Sequence, residues 1–485
     1  MSEPCQLGVQ GDIYQTKPLY RYLALLAALM AWGFDGVEQG VYTIMTRDAL
    51  KDLVPSVSPL VQQASEMKAQ MNGAGPDARG PLVEQLKTTT RKIDSTVGPF
   101  FSLSLAMWMW GAAAGGVLFG RMGDRWGRVR SMLVSVSLYA SFTGLSALST
   151  HWSHFITCRF IGAMGLGGTW PLCVALIVET WPEKHRAMLA GLIGAAANVG
   201  FFIAATYSKF MLKHDYEWRW VIGMGFFIAI ISLPVIFLVP EPTQWKRSRE
   251  KKERSRIGDL FTREYRRSTI VGSLLSTVAL LGTWGAFLWV ATYVDQITEG
   301  TPDQGRAKAA IAQWQSYGQM LGGFLGGLLA GWIGNKRSWC FLCLAAWASV
   351  VALFGLNRHY GLQMALMGAL AGLFVTGFFG WLPKYLPELY PTRIRASGQG
   401  FSFNIGRVLT GFGVLGAGSL VSVFGGDYRW GAMTIATVYL LGLIVIAFAP
   451  DTGGKMLVEN PQSPSPGPAF ETRRAASGSS DADRR

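Results

Sequence analysis

Gly120-Arg121-Met122-Gly123-Asp124-Arg125-Trp126-Gly127-Arg128-Val129-Arg130 separates one long apolar segment from the next. Four arginines, one aspartate and three glycines fall within these eleven residues. A buried loop would not carry so much charge, and an ordinary surface loop would not need so many glycines. We read the stretch as a tight, charged turn at one face of a membrane. A second, worn copy lies about 211 residues later, as Gly331-Trp332-Ile333-Gly334-Asn335-Lys336-Arg337. Two copies of one turn predict a chain built twice.

Composition agrees with a membrane protein. Of 485 residues, 50% are hydrophobic and 15% charged, against about 25% charged in soluble domains. Long uncharged stretches recur, the pattern of a polytopic helical membrane protein. The formal net charge of +14 does not indicate nucleic acid, because the basic residues gather in loops that share one side, as the positive-inside rule requires. Cys340 and Cys343 form a C-x-x-C inside an apolar run without a partner pair, so packed cysteines are expected rather than a zinc or redox site. The chain has no P-loop and no H-E-x-x-H. We therefore expect no metal, no cofactor and no enzyme activity.

In chain order, residues 1–18 form a cytoplasmic N-terminus and 19–239 a first six-helix bundle. Its apolar segments lie at about 19–45, 97–119, 131–149, 155–178, 187–210 and 218–239. Polar residues 47–96, with Gly73, Gly75, Pro76, Gly80 and Pro81, predict a large extracytoplasmic loop, with room for short helices. Residues 240–267 are a strongly basic cytoplasmic linker. A second bundle spans 268–449, with segments at about 268–294, 309–333, 338–356, 361–382, 396–424 and 430–449. The Pro-, Ser- and Arg-rich tail 450–485 is expected to be disordered and cytoplasmic. Helix parity then puts the Lys- and Arg-rich loops on one side and the poor ones on the other.

Further anchors support the duplication. Gly111, Gly115, Gly116 and Gly120 fall on Gly322, Gly326, Gly327 and Gly331. Glu179-x-Trp-Pro-x-x-x-Arg186-Ala falls on Glu388-x-Tyr-Pro-x-x-x-Arg395-Ala. Asp215-Tyr216 falls on Asp427-Tyr428, and Pro240-Glu241 on Pro450-Asp451. The expected fold class is an all-α membrane protein of twelve transmembrane helices, in two pseudo-symmetric six-helix bundles around a central cavity. That is the geometry of an alternating-access transporter. The glycine ladders are small-x-x-x-small faces, expected to pack helices closely within a monomer.

The chain resembles the major facilitator superfamily over about residues 19–455. Gly120-x-x-x-Asp124-Arg125-x-Gly127-Arg128-x-Arg130 is similar to the signature between its helices 2 and 3. Arg159-x5-Gly165-x-Gly167-Gly168 resembles its helix 4 motif, with Ala163 where a glycine is usual. Glu179–Arg186, Pro240–Trp245 and Phe403-Asn404-Ile-Gly406-Arg407 resemble the metabolite:proton symporter branches, which include sialic acid, aromatic acid and organic anion carriers. The resemblance implies a bacterial inner-membrane protein. The helix 4 motif implies a proton-relay role for Arg159, beside an ordinary structural pairing.

Ionisable groups inside a membrane are costly and mark functional candidates. Asp35 lies about 24 Å into the first segment at ~1.5 Å per residue, past the midplane, and Glu38 is almost one turn on. A carboxylate in a low-dielectric cavity can take up and release a proton at working pH. Asp35 is the first proton-coupling candidate, with Glu38 and Arg159 behind it, and the resembling organic-acid carriers share Gly33-Phe34-Asp35. Arg407 lies near the midplane, and its planar fork suits a carboxylate. Asn404 is one turn before it. Asn198 and Arg407 are each twelve residues beyond the matched Arg186 and Arg395. Trp32, Trp170, Trp284, Trp289 and Gln319 are further candidate cavity liners. For the cytoplasmic side we expect a latch of Gly120, Asp124, Arg125, Gly127, Arg128, Glu179 and Arg186 with Asn335, Lys336, Glu388 and Arg395.

The expected function is secondary active transport of a small polar metabolite, as proton-coupled symport of an organic anion by a monomer. A sugar or other neutral-solute porter is the nearest alternative, and a non-transporting nutrient sensor the next. Expected partners are the small-molecule substrate, protons and the lipid bilayer, not nucleic acid.

Overall fold

The computed structural model describes residues 18–73, 76–213, 217–250, 257–287, 289–298, 304–424 and 427–453. Residues 1–17, most of the tail, the middle of the linker and the Asp215-Tyr216 anchor lie outside the described residues. Among the described residues every regular element is helical. Eight helical spans are long and apolar enough to cross a membrane by length and composition.

The first half comprises α1 (Pro18–Leu53), α2 (Ser58–Gly73), α3 (Pro76–Trp126), α4 (Arg128–Ala147), α5 (Trp152–Thr180), α6 (Arg186–Lys213), α7 (Trp218–Ile230) and α8 (Ser232–Phe237). The linker contributes α9 (Thr243–Glu250). The second half has α10 (Arg266–Gly282), α11 (Trp289–Ile297), α12 (Gln304–Ile333), α13 (Asn335–Leu356), α14 (Leu362–Glu388), α15 (Arg395–Val423), α16 (Tyr428–Ala436) and α17 (Val438–Ala447).

Residues 47–96, expected as a large loop with room for short helices, are helical over most of their described length. The first helix continues unbroken to Leu53, α2 is a helix of its own, and α3 starts at Pro76, well before its apolar part. The physical reason is a second small core. Leu50, Leu53, Val54, Val57, Ile93 and Val97 are buried in one cluster with Phe155 and Trp218. Asp52 ties this region to α7 through Trp218 Nε1 (3.2 Å) and Arg219 Nη1 (2.6 Å). Three expected single segments are also interrupted: α7/α8 and α16/α17 break within one span each, and α10 and α11 are joined through a π-helical turn at Thr283–Phe287.

Packing repeats in both halves. Helix α1 packs on α6 as α10 packs on α15, and α3 on α5 as α12 on α14. Between the halves, α3 meets α15 and α12 meets α6. Glycine permits both kinds of contact. A Cβ at Gly115 would stand 1.7 Å from Met164 O, within the first half. One at Gly120 would stand 2.7 Å from Ala396 O, across the halves. The ladder was expected to serve packing inside the monomer, and its two faces divide that work.

Candidate functional site

The opening turn builds one end of the site. Helix α3 ends at Trp126 and α4 begins at Arg128, with Gly127 between them at φ +118°, where a side chain would be strained and a Cβ would meet the Glu241 carboxylate. Glu241 accepts from the backbone N–H groups of Val129 (3.2 Å) and Arg130 (3.0 Å), an anion at a helix N-terminus. Trp245 Nε1 donates to Asp124 O at 2.9 Å. The linker thus holds the turn from outside.

Inward, Arg128 is fully buried and donates in five directions. Nε and Nη2 grip Glu179 at 3.0 and 2.8 Å, Nη1 reaches Gly123 O (2.6 Å) and Asp124 Oδ1 (2.9 Å), and Nη2 crosses to Thr392 O at 2.9 Å. Asp124 accepts from the backbone N–H of Ala396 (3.2 Å) and Ser397 (2.8 Å), at the start of α15. Arg395 Nη1 meets Glu179 Oε1 at 3.2 Å. Three kinds of contact therefore cross from one half to the other.

The expected latch is narrower than its sequence suggested. Asn335, Glu388 and the unexpected Lys384 and Thr452 form a separate cluster inside the second half. There Asn335 Nδ2 donates to Glu388 (2.8 Å), and Lys384 Nζ to Asn335 Oδ1 (2.7 Å). Trp339 stands about where Arg128's counterpart would, so Lys384 supplies the cation one turn before Glu388. Arg186 pairs with Glu183 at 2.9 Å, within the first half. Arg125 is exposed, and Lys336 is half-exposed on the opposite turn. Gly334 repeats the positive φ of Gly127 (+86°), but its Cβ would meet open space.

The second layer lies deeper. Glu38 is paired in a buried contact with Arg159, and Thr143 Oγ1 donates to it at 3.1 Å. The Arg159 guanidinium lies 3.6 Å from the Tyr42 ring centroid, and Tyr42 in turn bonds Ser104. Asp35 points elsewhere. Its Oδ1 accepts from Gln39 Nε2 at 2.7 Å, while Oδ2 is buried without a partner. One helix face thus separates into an arginine-paired carboxylate and one held only by an amide.

Arg407 is 5% exposed and donates to Asn404 Oδ1 at 2.7 Å. Its guanidinium lies 5.1 Å from the Phe403 ring and 5.8 Å from the Trp108 ring. Asp35 and Arg407 interact electrostatically, and among the described residues no ion pair joins them. Trp284, on the π turn, meets Trp108 at 5.4 Å, closing over this layer. Trp170 stacks on Phe403 at 4.1 Å and 16°, closing it from below. Trp32 is buried in the main core. Asn198 sits at the α6–α12 seam, donating to Gly194 O (3.1 Å) and Gln319 O (3.4 Å). Its pseudo-equivalence with Arg407 therefore does not put it beside that residue. Trp289 packs edge-on against Tyr428 at 5.8 Å, inside the second half, because it lies beyond the π turn. Asp35 and Arg407 are both buried. Two hollows, of about 400 and 430 Å³, lie among α12, α13 and α14 and between α3 and α15.

A duplicated helical scaffold, latched at one end around buried charges, defines a membrane transporter. The chain belongs to the Major Facilitator Superfamily, whose model matches residues 86–357. It is an integral membrane protein. A Haemophilus influenzae protein named for metabolite transport is 30% identical over 400 residues, 79% of this chain and 95% of its own length. A sialic acid transporter of Escherichia coli is 24% identical over 348 residues, 70% of this chain and 82% of its own. The solved structure of a proton:xylose symporter has a TM-score of 0.68 at 17% identity, covering 91% of this chain and 98% of that one. At that identity the likeness concerns the fold alone.

Proposed function

We propose that this protein is a twelve-helix secondary transporter that carries a small organic anion with protons, by alternating access between two six-helix bundles. In this reading it works as a monomer in a bacterial inner membrane, with both termini cytoplasmic. The observation that carries the substrate class is Arg407, buried against two aromatic rings with a single amide oxygen on one of its nitrogens. A guanidinium in such surroundings favours an anionic guest, and its fork matches a carboxylate. A neutral solute would leave the charge uncompensated. The sialic acid relative is consistent with an acid as cargo.

Asp35 is the proton site in this scheme. Both carboxylates have a buried oxygen without a partner, but Glu38 is held by Arg159 whereas Asp35 is bonded by the Gln39 amide. Protonating Asp35 removes a negative charge near Arg407, so a substrate carboxylate can take over as its counter-charge. The latch of Asp124, Arg128, Glu179 and Arg395 then breaks as the halves rock, and substrate and proton leave together.

Uptake of cis,cis-muconate or sialic acid into proteoliposomes under an imposed pH gradient tests this. Collapsing the gradient should abolish accumulation, and unchanged accumulation would end the proton claim. Asp35→Asn should lose driven uptake by at least 10-fold and keep counterflow exchange. Loss of both would make Asp35 structural. Arg407→Lys with full affinity would remove the reason for an anion.

A further inference from the structure

One face of α15 carries a residue of interest at each turn: Arg395, Gln399, Phe403 and Arg407, spaced by four. Two of them fix the face toward α5, since Arg395 meets Glu179 and Phe403 stacks on Trp170. Eight residues of α15 span nine of α5 in the opposite direction. Gln399 therefore lies midway, level with Val174 and Ala175, in a stretch of α5 that is fully buried and apolar. Gln399 is itself 0% exposed, and neither its Nε2 nor its Oε1 has a hydrogen-bond partner. A desolvated amide with nothing to bond is disfavoured, and such groups are rare in native interiors. The closed arrangement gives this side chain no work.

Its position supplies one. The Phe403–Trp170 stack shuts it off from Arg407, and the Arg395–Glu179 pair shuts it off from the inner face. Both closures join α15 to α5, so separating these helices at their inner ends opens both. Gln399 then lines the path, about 12 Å inward of Arg407 at ~1.5 Å per residue.

Resting on the anion reading above, we propose that Gln399 is an inner transit subsite, whose amide N–H receives the substrate's carboxylate after it leaves Arg407. A neutral amide donor holds an anion less tightly than a guanidinium. The step from Arg407 to Gln399 therefore loosens the substrate toward the cytoplasm, and the amide is unsatisfied only while the path is shut.

Two measurements test this. The first needs no substrate. The melting temperature of purified Gln399→Leu should equal or exceed that of the wild type, because an unbonded amide is replaced by an apolar group of similar shape. A clear fall would mean that the amide is bonded in the closed state, and would overturn the proposal. The second compares right-side-out with inside-out membrane vesicles, using cis,cis-muconate and sialic acid as probes. Gln399→Leu should leave the outer-face KM within two-fold and raise the inner-face KM at least five-fold, with Gln399→Asn recovering part of the loss. Equal changes at both faces, or none, would overturn it. Wild-type vesicles that carry neither probe would overturn the anionic guest along with the anion reading. The melting comparison separates that failure from a Gln399 that merely packs.

Discussion

Asp124 and Asn335 occupy matched positions of the two turns and do different work. Asp124 reaches the other half, whereas Asn335 stays within its own. Arg128 pairs with Asp124 and Glu179 inside the first half, and its own bond across the halves is to Thr392 O. Removing it takes that bond from the latched state, together with the alignment of the two carboxylates that make the other crossings. In a background without the native cysteines, Arg128→Ala should therefore speed cytoplasmic maleimide labelling of a Ser397→Cys reporter by at least 10-fold. Asn335→Ala should leave the rate within two-fold, since its partners Lys384, Glu388 and Thr452 all belong to the second half. Equal acceleration by both would mean that the second cluster also latches. At this scale the charge motif made Arg128 and Glu179 legible. Lys384 was not, because it falls just past the expected segment 361–382, and nothing in the sequence shows that α14 runs on to Glu388 and sets Lys384 one turn before it. Trp108 was missed because an intramembrane tryptophan carries no pattern to distinguish a cation's neighbour from ordinary packing.

At the scale of elements, α3 carries two glycine faces with separate duties. Gly115→Val should damage folding itself, because its side chain would press on the α5 backbone in every state. Gly120→Val should fold and melt near the wild type but fail to close, because its side chain meets the α15 backbone only when the halves are latched. The contrast is read by melting and by the same labelling rate. Slow labelling in Gly120→Val would refute it. The apolar segments were legible because membrane spans announce themselves by hydropathy. The helices of residues 47–96 were not, since a polar helix outside the bilayer looks like a loop when glycine and proline punctuate it. What makes it helical is the burial of Leu50, Val57 and Ile93 together, a tertiary effect. The π turn at Thr283–Phe287 was invisible for a similar reason, although Trp284-Gly285 marks its place.

Across the whole molecule, the pairings of α3 with α5 and α12 with α14 repeat as the sequence offset of about 211 implied. A repeat in glycine and charge is legible because it needs only register. How the two copies diverge is not, because that depends on which side chain faces which half. The helical extension around α2 is fastened to the rest of the first half by Asp52 and Arg219, whose side chains are 50% and 35% exposed. Exposed pairs contribute about 0–1 kcal/mol. Asp52→Ala should accordingly lower the melting temperature by no more than a few degrees and leave uptake within two-fold. A larger effect would give the extension a part in transport.

The crossing from Asp124 to α15 ends on peptide N–H groups, and that from Arg128 ends on the Thr392 carbonyl. A peptide group survives almost any codon change. At these two grips the second half supplies main chain, whereas the first half supplies the side chains of Asp124 and Arg128. The lock is thus unequal in kind: carboxylates and a guanidinium on one side, main chain and the Arg395 guanidinium on the other.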